Sequence, residues 1–196
     1  MNIYVFGLGA IGSNMLLQLI KKYQDFSFYG IDFDKVEDRN MNTQAYFLNH
    51  VGLSKAQALL PVIGTKLRKF QYKPFVRKIA GSEDILNILE ETNAGTDYLL
   101  LDCFDNTQSR KHFDIFYHNI LHIGFSPQYA AEILWQEHYS APNDLPEGQN
   151  DICVMSEAVP FINFVVSLAC FTVSDFIDNK IKTNYLVTNK NKIVTL

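Results

Sequence analysis

The chain has 196 residues, 47% hydrophobic and 19% charged, with a net charge of −4, which suits one domain with a sizeable core. The acidic balance offers no basic surface for nucleic acid, and three cysteines without a C-x-x-C pair argue against structural zinc and a disulfide framework alike. No basic n-region precedes the first apolar run, so a secretory signal is not expected and the cytoplasm is the expected compartment.

The first run, Ile3 to Phe6, is β-branched and aromatic and reads as a buried strand. Gly7, Gly9 and Gly12 follow at the spacing G-x-G-x-x-G. A helix is then expected from Ser13 to Tyr23, with Met15, Leu16, Leu19 and Ile20 at helical spacing. Strand, glycine turn and helix form the context this motif requires. Gly7 permits a tight turn, Gly9 lets backbone approach a phosphate, and Gly12 lets helix and strand pack closely. The helix start then offers N–H groups to an anion. Asp32 closes the next strand-like run, Phe26 to Asp32, 20 residues after Gly12, where a ribose-binding carboxylate belongs.

The polar stretch Phe33 to Lys55 reads as an irregular functional loop, with Asn40, Thr43, Gln44 and Lys55 as its notable side chains. Ser54 reads as an N-cap for a helix from Lys55 to Leu67. Lys55 opposes the helix dipole there, which favours a nearby anion. Strands are expected at Tyr72 to Ile79, Asp97 to Cys103, Ile120 to Phe125 and Glu132 to Tyr139, and helices at Glu83 to Glu91 and Asn106 to His118. Asp97 to Cys103 is apolar enough to be buried on both faces. Asp102 is either a supporting acid or a strand cap. Arg110 is expected to anchor its helix by ion pairing, and the five histidines show no metal-like spacing.

Ser140 to Cys153 reads as a mobile surface loop. Val159 to Ile177 is long and apolar, but its polar residues and the early Pro160 favour a helix buried against the sheet over a membrane span. Tyr185 to Leu196 reads as a hairpin turning at Asn189 to Asn191. Cys103 and Cys170 lie in apolar runs and are expected in the core. The alternation of strands and helices indicates a doubly wound α/β domain, with ligands beyond the carboxyl ends of the strands.

The set GLGAIG, IDFDKVEDRNMNTQ, GLSKA and LLDCFDN with Arg110 resembles the adenylyltransferase core of the ThiF/MoeB/HesA and ubiquitin-activating superfamily, from roughly Ile3 to Asp178. The resemblance implies a Rossmann-like, mainly parallel sheet with helices on both faces and a C-terminal β-hairpin. It implies ATP-dependent activation of the C-terminal carboxylate of a ubiquitin-like or sulfur-carrier protein or peptide, with release of pyrophosphate. Carried over, Gly7, Gly9, Ala10, Ile11 and Gly12 line the ATP loop. Asp32 binds the ribose, with Asp34 beside it. Asn40 and Lys55 contact the phosphates, Gln44 belongs to the ATP site, and Asp105 holds Mg²⁺. Such types suit a transition state that gathers negative charge on phosphate. The family also implies a homodimer; the charge balance and the buried reading of the apolar helix leave no nucleic-acid or membrane partner expected.

The chain departs from that pattern in places. Asn40-Met41-Asn42-Thr43-Gln44 stands where the family usually reads Asn-Leu-x-Arg-Gln, so Thr43 replaces a phosphate-binding arginine. Arg39 is a possible substitute. The helical segment that in dimeric members sends an arginine into the neighbouring ATP site has no counterpart in these residues. Cys153 lies near where sulfur-transferring members carry a reactive cysteine, and is the candidate nucleophile. Two further readings remain open. One is a ThiF-like binding or scaffold subunit that has lost catalysis. The other is a dinucleotide-dependent oxidoreductase, which leaves Asn40, Gln44, Lys55 and Asp105 unexplained.

Overall fold

A computed structural model describes residues 1–65, 67, 70–125, 131–140, 156–188 and 192–196. The apolar runs pair into one eight-stranded sheet of order β3-β2-β1-β4-β5-β6-β7-β8. Its strands are β1 (Asn2–Phe6), β2 (Ser27–Ile31), β3 (Gln71–Phe75), β4 (Tyr98–Asp102), β5 (Ile120–Phe125), β6 (Ala131–Trp135), β7 (Tyr185–Val187) and β8 (Ile193–Thr195). Strands β1 to β5 pair in parallel. The strands from β5 to β8 pair antiparallel, and β7 with β8 forms the C-terminal hairpin. The chain leaves β1 for β2 on one side and returns to β4 on the other. That reversal opens a crevice beyond the carboxyl ends of β1, β2 and β4.

Alternate side chains along each strand face opposite layers. Ile3, Val5, Leu99, Leu101, Leu121 and Ile123 pack under α1 (Ala10–Lys22), α2 (Lys55–Gly64) and α5 (Val159–Asn179). Tyr4, Phe6, Leu100 and Ile120 meet α3 (Ser82–Glu91) and the rings of Phe113 and Phe116. Helix α5 is long and apolar enough to cross a bilayer by length and composition. Here Ile162, Val165, Val166, Ala169, Cys170 and Val173 are buried in the first layer. Its end is tied to α1 by Lys22 donating to Asp178 at 2.8 Å.

Four expected elements are shorter or different. The helix expected over Asn106 to His118 is a single turn, α4 (Thr107–Arg110), followed by a 3-10 turn, Lys111–Phe113. Its apolar anchors, Phe113 and Phe116, are three residues apart, the eclipsing period of a 3-10 helix, and Phe116 N donates to Phe113 O at 2.9 Å. Helix α2 ends at Gly64 rather than Leu67, with Pro61 and Gly64 weakening its last turn. The third strand stops at Phe75 rather than Ile79. It is an edge strand carrying Pro74, and its partner β2 ends at Ile31. The strand expected to reach Tyr139 ends at Trp135, opposite Leu121 near the start of β5, and continues as a 3-10 turn, Gln136–His138. The hairpin turn at Asn189 to Asn191 and the loop from 141 to 153 lie outside the described residues.

The stretch from Phe33 to Lys55 is long but ordered. Two 3-10 turns, Asp38–Asn40 and Leu48–His50, punctuate it. Its base is closed by Val36 N donating to Leu53 O at 2.9 Å and Gly52 N donating to Val36 O at 2.9 Å.

Candidate functional site

The glycine loop sits at the centre of the crevice. Gly7 N donates to Ile31 O at 3.0 Å, and Cys103 N donates to Phe6 O at 2.9 Å, so the ends of β2 and β4 flank it. The three glycines serve different ends. Gly7 has φ +81°, and a Cβ there would stand 2.9 Å from Cys103 O. A Cβ on Gly12 would stand 2.0 Å from Gly7 O, so helix and strand touch through that gap. Gly9 has nothing within 4 Å of its would-be Cβ. The fold needs Gly7 and Gly12 as glycine, while Gly9 opens onto free space. Ser13 N makes the first helical bond, to Gly9 O at 3.1 Å. The amides of Ala10, Ile11 and Gly12 precede that bond at the positive end of α1, a place for an anion.

Leu8 is held from both sides. Asp32 Oδ2 accepts from Leu8 N at 2.7 Å, and Tyr46 donates to Leu8 O at 2.8 Å. Asp32 Oδ1 accepts from Asp34 N at 2.8 Å. Burial pushes the Asp32 carboxyl above its ordinary range. Lys55 and the Leu8 and Asp34 amides pull it back in part. Each Asp32 oxygen keeps a lone pair beyond its single amide partner.

Lys55 opens α2, after Ser54 caps the helix by accepting from Gln57 N at 3.3 Å. Lys55 N donates to Asp34 O at 2.8 Å, and Lys55 Nζ donates to Asp34 Oδ2 at 3.1 Å. The Lys55 side chain is only 12% exposed, against 50% for Asp34. The expected misfit with the helix dipole is thus met by a carboxylate, Asp34, with Asp32 close enough to feel the charge.

The segment after the second strand folds back on α1. Asn14 Nδ2 donates to Thr43 O at 2.8 Å, and Ala45 N donates to Ser13 Oγ at 3.1 Å. Asn40 is buried and its Oδ1 accepts from Glu37 N at 2.8 Å, so it shapes the loop. Thr43 is also buried. Gln44 Oε1 is buried without a hydrogen-bond partner among the described residues, an acceptor awaiting a donor. Arg39 lies on the surface, 64% exposed, with Nε donating to Glu37 at 2.6 Å.

Asp105 is exposed just past β4 and accepts from Asn106 Nδ2 at 3.3 Å. Asn106 caps α4 by accepting from Ser109 N at 2.8 Å. Arg110 anchors this turn as expected, but through backbone carbonyls rather than an ion pair: Nε donates to Phe104 O at 2.7 Å and Nη2 to Ile123 O at 3.0 Å. Asp102 is wholly buried and paired with the equally buried His122 at 2.7 Å. Sequence reasoning missed His122. It is 20 residues from Asp102, and only the β4–β5 register brings Asp102 opposite His122. Among the described residues no group of three or more His, Cys, Asp or Glu is placed to hold a metal ion. Cys103 and Cys170 are buried, and Cys153 lies outside the described residues.

A family model described as the ThiF family matches residues 1–192. No curated relative matches the chain in sequence. Among solved structures it is similar to E. coli MccB with AMPCPP and MccA, at 13% identity and a TM-score of 0.74, covering 100% of this chain and 63% of that one. E. coli MccB with ATP gives 13% identity, the same coverages and a TM-score of 0.74. PaaA gives 15% identity, again 100% and 63%, and a TM-score of 0.74. The chain spans less than two thirds of these neighbours' lengths.

Proposed function

The chain belongs to the ThiF family, and from that premise we propose that it binds ATP with Mg²⁺ and adenylates the C-terminal carboxylate of a ubiquitin-like or sulfur-carrier protein or peptide, releasing pyrophosphate. The observation that carries this reading is Gly9, a backbone position kept bare over open space while its neighbours Gly7 and Gly12 are packed against the fold. That is the shape a phosphate cradle takes. A neighbour of the same fold was solved with ATP.

The residues fit that ligand. Asp32, fixed by two amides, accepts from the ribose hydroxyls. Gln44 offers its unpartnered Oε1 to a donor on the nucleotide. Lys55 exchanges the Asp34 carboxylate for phosphate oxygens. In the reaction a carboxylate oxygen forms a bond to the α-phosphorus, and the bond from phosphorus to the bridging oxygen breaks, leaving its electron pair on pyrophosphate. Lys55 offsets the charge that gathers on the phosphoryl oxygens, and the α1 amides do the same. Asp105 would hold Mg²⁺, which supplies further charge neutralisation when bound. Asn40 acts by shaping the loop. Cys153 is proposed as the residue that would take over an activated acyl group. A homodimer is proposed on the family resemblance alone.

A second reading, a nucleotide-binding subunit with weakened catalysis, is favoured by Thr43. It replaces the family arginine with a buried hydroxyl, and Arg39 is engaged by Glu37 instead. Pyrophosphate release separates the two. The chain is mixed with ATP–Mg²⁺ and peptides ending in glycine. Release above the ATP-only rate, abolished in Lys55→Ala, supports adenylation. ATP binding with no release from any peptide supports the binding subunit.

A further inference from the structure

We propose that Asp102, Arg110 and His122 form a buried clamp on the Phe104 peptide, which fixes Asp105 in the orientation that meets a nucleotide-bound divalent cation. The inference rests on the nucleotide-site reading above. Both backbone groups of Phe104 are held by buried side chains. Asp102 Oδ1 accepts from Phe104 N at 3.0 Å, and Arg110 Nε donates to Phe104 O at 2.7 Å, with Nη2 on the same oxygen. The Phe104 ring packs against Phe6 and Phe113 at 6.3 and 6.2 Å between centroids. Asp105 is the next residue, and its own carboxylate is exposed.

The clamp is itself braced. Asp102 Oδ2 lies 2.7 Å from His122 Nδ1, and both side chains have no exposure. His122 Nε2 lies 2.5 Å from Gln136 Oε1, and its ring stacks on Tyr139 at 3.7 Å and 7°. Arg110 Nη1 donates to Tyr139 Oη at 3.3 Å. Gly124 completes the fit, because a Cβ there would stand 2.3 Å from Arg110 Nη2. The missing side chain of Gly124 is the room the guanidinium occupies. Burying such a set seldom adds stability over apolar packing of the same volume. Its return here is orientation: Asp102, braced by His122, and Arg110 hold the peptide groups on either side of Phe104, immediately before the exposed Asp105. Such supporting partners typically change metal affinity by about 10–100-fold when removed.

The test uses the full chain and reads two quantities: ATP affinity without metal, and the Mg²⁺ concentration that gives half of its effect on ATP binding. Gly124→Ala displaces Arg110 without removing a polar group, and His122→Phe unbraces Asp102. Both are expected to raise the Mg²⁺ midpoint at least about tenfold while leaving metal-free ATP affinity in place. His122→Asn, which keeps a donor toward Asp102, recovers most of the shift. Arg110→Lys carries the same prediction as Gly124→Ala if that variant does not fold. An unchanged Mg²⁺ midpoint with a lowered melting temperature would show a purely structural network and overturn the clamp. So would equal losses with and without metal. A wild-type chain that binds no ATP under either condition sinks the nucleotide-site reading itself, and the clamp's role with it.

Discussion

Gly9 and Gly12 lie three residues apart and answer to opposite demands. Gly12→Ala forces a methyl against Gly7 O, 2.0 Å away, and is expected to cost about 3 kcal/mol of stability. Gly9→Ala meets no atom within 4 Å and should cost about 1 kcal/mol or less, as a cap change, while weakening ATP binding about tenfold or more. Chemical denaturation and nucleotide titration of the pair check both halves, and equal stability losses would contradict the assignment. Asp32 gives a pH signature. Its carboxyl is raised by burial, with Lys55 and two amides opposing. An acid raised in the folded state holds its proton more tightly there than when unfolded. It therefore contributes stability that is full below the ordinary carboxylate range and lost as pH rises through the folded value. Nucleotide affinity runs the other way, since ribose hydroxyls need the ionised acid. Acidification through that window should weaken ATP binding in the wild type and leave Asp32→Asn unaffected. Burial also pushes Cys103 well up and Cys170 up to about 12. Neither should react with a thiol reagent in the native chain at neutral pH.

The site is assembled from element ends, and most of those ends were legible. The strand, glycine turn and helix could be read from Ile3 to Tyr23 because each piece carries a local signal. Ser54 is a cap with its bond in place, and Ser54→Ala should cost about 1 kcal/mol while shifting Lys55 with the helix start. Urea denaturation checks the first effect. The clamp on Phe104 was not legible. Asp102 and His122 come together through strand pairing, and Gly124 matters only because Arg110 reaches across to it. The collapse of the helix expected after Asn106 has the same origin. Phe113 and Phe116 are drawn onto the face of Phe6 and Leu100, and that packing selects a 3-10 turn over continued α-helix. The loop from Phe33 to Lys55 showed its polarity in sequence but not its closure, which depends on backbone bonds across its base.

At the scale of the whole molecule, one sheet reversal decides where chemistry can occur. The chain crosses from β2 and β3 on one side of β1 to β4 on the other. Gly7, Asp32 and Asp105 thereby end at one rim, although Asp32 and Asp105 are 73 residues apart (105 − 32) in the sequence. The fold is similar to that of E. coli MccB, which was solved with ATP, yet a G-x-G-x-x-G rim also serves dinucleotides. Calorimetric titration of the wild-type chain with ATP–Mg²⁺ and with NAD tests the central claim most directly. Saturable binding of ATP–Mg²⁺, weakened in Lys55→Ala and in Asp105→Ala, with no binding of NAD, is the predicted result. Binding of NAD alone, indifferent to Lys55 and Asp105, would contradict the adenylation site and restore an oxidoreductase.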